Sequence, residues 1–74
     1  MFKIFEKLGG EEIALDIIAG RSGEKPTAEA VRGWKRQRRI PGNKAVYLLD
    51  ECGERGISAS WQDDCVVSSM EAAQ

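Results

Sequence analysis

Apolar positions recur along this chain at helical spacing. Phe2, Phe5 and Leu8 lie three apart, and Ile4 can join them on the inward side before Gly9 and Gly10 interrupt the run. A short first helix is therefore expected to end there. Ile13, Ala14, Ile17 and Ile18 then make an i, i+1, i+4, i+5 stripe, with Glu11, Glu12 and Asp16 on the other side. The two leading glutamates suit the positive end of a helix, so a second helix is expected over residues 11–19, with Gly20 as its stop.

Residues 20–26 are polar, contain two glycines and close on Pro26, which reads as a loop. Thr27 follows as an N-cap whose side-chain oxygen can accept from an otherwise unpaired amide of the next turn, and Glu29 adds negative charge at that end. The third helix is expected over 28–37, with Val31 and Trp34 facing the core. Its outward positions are Ala28, Glu29, Arg32, Lys35 and Arg36. Ile40, Pro41, Gly42 and Asn43 break the helix, and Ala45, Leu48, Leu49 and Cys52 restart it with an i, i+3, i+4, i+7 repeat. Gly53 and Gly56 offer a stop. Ile57 and Trp61 share one face of a short last helix, with Ser60 and Asp63 spaced as a capping pair. No alternating strand of useful length and no internal repeat occurs, so the expected fold is all-α, a small five-helix bundle. Residues 1–65 make one domain, and 66–74 are expected to be a frayed, flexible tail.

Length agrees with a single thin core, since chains of 74 residues bury little of their unfolded surface and often gain stability by pairing. The net charge of -1 argues against a polyanion partner, but it conceals a division along the chain. Residues 1–20 hold two cations against four carboxylates, and residues 45–74 hold one against six. Residues 21–44 hold eight cations against two carboxylates. Such a basic island between acidic ends orients a molecule toward a polyanion. A merely solvated cationic face is the alternative.

Two helices, a connection and a third helix with a basic outer face are the parts of a helix-turn-helix, whose second helix enters the major groove. On that reading Thr27 and the first helical amides take a phosphate, Ala28 touches a thymine methyl, Glu29 accepts from cytosine and Arg32 pairs with guanine. Glu29 has the helix dipole as its other explanation. Lys35, Arg36, Arg38, Arg39 and Lys44 suit phosphates, and Arg21, Ser22 and Lys25 offer further contacts from the loop. Trp34 is read as packing, because an amphipathic ring on a helix normally buries most of its area.

At these residues the chain resembles a known family. Ala30-Val31-Arg32-Gly33-Trp34-Lys35-Arg36, followed by Arg39-Ile40-Pro41, is similar to the V-x-x-W-K-R…R-I-P signature of small Cro/CI-type regulators, including the YdaS-like Cro proteins. Phe5-x-x-Leu8-Gly9-Gly10 upstream and the helix around 45–52 downstream extend the likeness over roughly residues 4–57. The resemblance implies a lambda-repressor-like five-helix DNA-binding domain, commonly dimeric, acting on operators of phage or mobile-element type. One departure stands out: the family's tight turn with a Gly-hydrophobic-Ser pattern is replaced by the longer 20–26 segment.

The resulting expectation is a transcriptional regulator, a repressor, that binds double-stranded DNA as a homodimer. Its interface would use Ile57, Trp61, Val66, Val67 and Met70, apolar residues of the C-terminal third. The alternative is an antitoxin or protein-binding adaptor whose acidic C-terminal third neutralises a partner. Enzyme chemistry lacks its parts: there is no histidine, no paired nucleophile and base, and no glycine-rich phosphate loop. Cys52 and Cys65 are too far apart for a CxxC pair, so no metal, cofactor or small-molecule substrate is expected. With no signal-peptide pattern and no apolar run of membrane-spanning length, the expected compartment is a reducing cytoplasm with both thiols free.

Overall fold

The first helix forms because its apolar residues gather on one side: α1 (Lys3–Leu8) buries Ile4, Phe5 and Leu8, with Phe2 just before it also buried. Phe2 and Phe5 meet edge to face, 5.4 Å between ring centres. In the computed structural model, which describes residues 2–67, α1 is followed by α2 (Glu11–Ser22), α3 (Ala28–Gln37), α4 (Gly42–Arg55) and α5 (Trp61–Asp64). The all-α, five-helix architecture is thus as expected. Extended pairing among the described residues is a single antiparallel bridge between Arg39 and Val66.

Gly9 turns the chain between α1 and α2 in the left-handed region, at φ 109. A Cβ there would lie 2.9 Å from Cδ1 of Ile13, an exposed side-chain end that can shift, so it is the backbone conformation that calls for glycine. The stop of α2 differs from the expected one. The helix runs through Gly20 to Ser22, and Gly23, at φ 86, is the residue that turns left-handed and donates to Ala19 O. Gly20 tolerates helical dihedrals at modest cost, and the additional turn places Arg21 beside α4, where Nη2 lies 2.9 Å from Glu51 Oε1 and 2.7 Å from Glu54 Oε2. The connection to α3 is therefore residues 23–27, shorter than the sequence pattern indicated.

The inward face of α2 is also rotated from expectation. Ala14, Leu15 and Ile18 are buried, Ile17 is half-buried, and Ile13 is 43% exposed. The reason is that α2 packs on both α1 and α4, so its buried surface spans two directions and takes in Leu15. A single stripe does not describe such a helix. In α4 the expected face holds, with Ala45, Leu48 and Cys52 buried and Leu49 half-buried. Gly42 and Asn43 belong to α4 and do not break a helix, since Pro41 is the N-cap, and the helix passes Gly53 to end at Gly56.

Ser60 caps α5 as its spacing suggests, its Oγ accepting from Asp63 N at 3.3 Å. Beyond α5 the chain is not frayed as far as Val67. Ile40 N donates to Cys65 O at 2.9 Å and Val67 N to Arg38 O at 2.8 Å, so Val66 and Val67 belong to the folded unit and the domain extends past residue 65. Residues 68–74, including Met70, lie outside the described residues.

Candidate nucleic-acid interface

Helix α3 is held to the protein by one side only. Val31 and Trp34 are 3% and 6% exposed, while Ala28, Glu29, Arg32, Lys35 and Arg36 all face outward, as their spacing predicts. Thr27 caps the N-terminus, its Oγ1 accepting from Ala30 N at 3.0 Å. At the other end Arg38 is the C-cap in the left-handed region, at φ 63, the one non-glycine residue among those described with positive φ. Its N–H reaches Lys35 O at 3.2 Å, and Arg39 N reaches Trp34 O at 3.1 Å. Ile40, fully buried, then anchors the turn in the core, while Arg38 and Arg39 are exposed, Arg39 being the residue bridged to Val66.

Ion pairing separates the cations of this protein into two groups. Of its eleven lysines and arginines, Lys7, Arg21, Lys25, Lys35 and Arg55 each have a carboxylate within 3.3 Å. The other six, Lys3, Arg32, Arg36, Arg38, Arg39 and Lys44, have none among the described residues. Five of those six lie between residues 32 and 44. Carboxylates elsewhere thus neutralise the cations near them, and an uncompensated positive strip remains on α3, the turn after it and the start of α4.

Of Arg21, Ser22 and Lys25, expected together in a loop, only Lys25 lies in the connection between α2 and α3. Arg21 and Ser22 belong to the last turn of α2, where Arg21 is committed to Glu51 and Glu54 and Ser22 Oγ donates to Ile18 O at 2.7 Å. Both carboxylates raise the Arg21 pKa, so it is charged under all ordinary conditions. Lys25 does lie in the connection, but its Nζ is 3.3 Å from both Glu12 and Asp16, which raise its pKa. Lys35 likewise pairs with Glu11 at 2.9 Å.

Two clefts border the strip. One, of about 350 Å³, opens where α3 and α4 begin and is lined by Lys25, Thr27, Ala30, Pro41, Asn43 and Lys44, among others. Pro41 supplies no side-chain cap to α4, and of the first amides Lys44 N is taken by Pro41 O at 2.9 Å. The other, of about 530 Å³, lies beside Arg38 and Arg39 and is walled by Gln37, Trp61, Gln62, Val66 and Val67. Asn43, Gln37 and Gln62 supply amide donors beside these cations that sequence reasoning did not single out. Only tertiary placement reveals them.

Three carboxylates of the acidic C-terminal third are engaged by cations of the same chain. Glu51 accepts from Arg21 and from Arg55, which hold its carboxyl below the usual range, and Glu54 accepts from Arg21. Asp64 is buried against Lys7. Ile57, Trp61 and Val67, expected at a dimer interface, pack half-buried against the protein's own core, and Val66 is half-buried at the Arg39 bridge. Cys52 and Cys65 are buried and unbridged, and burial pushes the Cys65 thiol up to about 12 and raises Cys52 as well. Among the described residues no group of three histidine, cysteine or acidic side chains is placed to hold a metal ion, and no helix is long and apolar enough to cross a membrane. No protein-family model, no characterised protein and no solved structure matches this chain.

Proposed function

We propose that this protein is a sequence-specific regulator of transcription, a repressor, that binds double-stranded DNA with α3 in the major groove. The observation carrying this reading is the uncompensated strip of Arg32, Arg36, Arg38, Arg39 and Lys44, on and just beyond a helix whose other face is buried. Sequence-independent affinity for DNA comes from cations that displace counterions from phosphates, and a cation without a carboxylate partner does so without first breaking an ion pair. In this reading α2 and α3 are the first and second helices of a helix-turn-helix. The likeness of Val31, Trp34, Lys35, Arg36, Arg39, Ile40 and Pro41 to the small Cro/CI-type signature supports the same assignment.

The residues divide by reach. Ala28, Glu29 and Arg32 stand on the exposed N-terminal half of α3 and meet base edges, with Arg32 suited to guanine, Glu29 to cytosine and Ala28 to a thymine methyl. Thr27, Arg36, Arg38, Arg39 and Lys44 meet phosphates, which fix register without reading sequence. Lys35 joins them only by leaving Glu11. A single α3 covers few base pairs, so the reading includes two copies on a two-fold site.

Selection of bound sites from random duplex DNA at several salt concentrations tests the proposal. It expects an enriched, palindromic site and a binding constant whose logarithm falls linearly with log salt. A chain that binds no duplex at low salt ends the reading.

A further inference from the structure

We propose that α5 and residues 65–67 act as a strap that positions Arg38 and Arg39 for the DNA backbone, with Trp61 and Val67 as its positioning residues. The proposal rests on the DNA-binding reading above and adds residues that touch no DNA.

The turn between α3 and α4 has no regular structure of its own, and it begins with an arginine in a backbone conformation that L residues avoid. Such a conformation persists where its surroundings over-determine it. Here those surroundings come from the far end of the chain. Three backbone groups of the turn are each taken by the C-terminal section: Arg38 O accepts from Val67 N at 2.8 Å, Ile40 N donates to Cys65 O at 2.9 Å, and Ile40 O accepts from Trp61 Nε1 at 2.8 Å.

The strap is itself anchored. Cys65 is fully buried, so the segment cannot slide, and Asp64 is pinned to α1 by Lys7. Its outer wall, Trp61, Gln62, Val66 and Val67, faces Arg38 and Arg39 across the 530 Å³ cleft and offers no carboxylate to either arginine. The bonding therefore grips the backbone of the turn and uses neither guanidinium group, and among the described residues no carboxylate pairs with either. A preorganised cation spends less ordering entropy when it meets a phosphate.

The test is binding to short random-sequence duplex DNA over a range of salt, well below each variant's melting temperature. Trp61→Phe keeps the ring and removes the N–H. Val67→Pro removes the other donor at the edge of the fold, and Val67→Thr keeps it. Trp61→Phe and Val67→Pro are expected to weaken binding roughly 2- to 10-fold, the effect of losing one hydrogen bond, and to lower the log-log salt slope. Val67→Thr is expected to match the wild type. In an Arg38→Ala/Arg39→Ala background, Trp61→Phe and Val67→Pro should have no further effect, whereas a purely structural role would weaken binding in both backgrounds alike. Wild-type affinity and slope in the folded Trp61→Phe and Val67→Pro variants overturns the strap alone. A wild-type chain that binds no duplex overturns the DNA reading and the strap with it.

Discussion

Lys7 Nζ lies 2.9 Å from Asp64 Oδ1, joining the first helix to the last. Asp64 is 3% exposed, and its other oxygen accepts from Ser60 N at 2.8 Å, while Lys7 also donates to Ser58 O at 2.7 Å. Burial by itself would push the Asp64 carboxyl up, but Lys7 and the Ser60 N–H outweigh it and hold the group below its ordinary value. A carboxyl depressed on folding adds stability that is complete above its unfolded pKa of about 3.9 and is lost as pH falls through the folded value. Asp64→Asn should therefore destabilise the protein by about 1–3 kcal/mol at neutral pH. Lys7, being partly exposed, recovers solvation in that variant. Thermal melts from neutral to acid pH check the sign: the gap between wild type and variant should be full at neutral pH and narrow as pH falls below the unfolded carboxyl value toward the lower folded one. A gap independent of pH would show that the charge of Asp64 is irrelevant.

Both thiols should be inert in the native protein. Cys65 is fully buried with its pKa pushed up to about 12, and Cys52, 1% exposed, is raised in the same direction. Unfolded thiols ionise near pH 8.5, so above that pH the unfolded state holds fewer protons than the native one and stability falls as pH rises. Alkylation at pH 8 should accordingly track global unfolding, and Cys65→Ala should flatten the alkaline limb of the stability curve. Rapid labelling of native protein would contradict the buried placement.

How much of this was readable from the sequence depends on how local each cause is. Val31 and Trp34, the stripe through Ala45, Leu48 and Cys52, and the caps Thr27 and Ser60 are set by neighbours within a turn or two, and the structure has them where the spacing puts them. Gly20 and Gly23 are equivalent as letters; a distant pair of glutamates favours the longer helix by giving Arg21 a partner. Leu15 displaces Ile13 from the core because α2 has two neighbours, and Val66 is held by Arg39, far away in the chain. The cationic strip was visible as a count, but which cations are free was not. Lys35 and Arg36 are adjacent and chemically alike, yet only Lys35 has a carboxylate, on another helix.

Arg38 makes stability and binding separable. At φ 63 an arginine bears strain that glycine does not, on the order of 1–2 kcal/mol, partly offset by the greater entropy glycine loses on folding. Arg38→Gly should leave the melting temperature unchanged or raise it, while weakening duplex binding and reducing the salt slope by about 0.9, one phosphate contact. Parallel loss of stability and affinity would mean that the arginine side chain supports the fold.

Arg32 and Arg39 are both exposed and have no carboxylate partner among the described residues, but they stand at different depths of the proposed groove. Arg32 projects from the middle of α3, one turn after the cap, where a recognition helix meets base edges, whereas Arg39 follows the helix and leaves the strip at the backbone bridge. Arg32→Ala should then cost about 1–3 kcal/mol at a single position of the selected site and flatten the base preference there, with other positions unaffected. Arg39→Ala should weaken binding to all sequences nearly equally and lower the salt slope by about 0.9. Titrating both variants against the selected site, its single-base substitutions and random duplex separates the two roles, because a base contact changes the ratio of affinities and a phosphate contact changes their common level. If both variants lower every affinity by one factor, α3 does not read bases through Arg32, and the helix serves only to bring positive charge to the backbone.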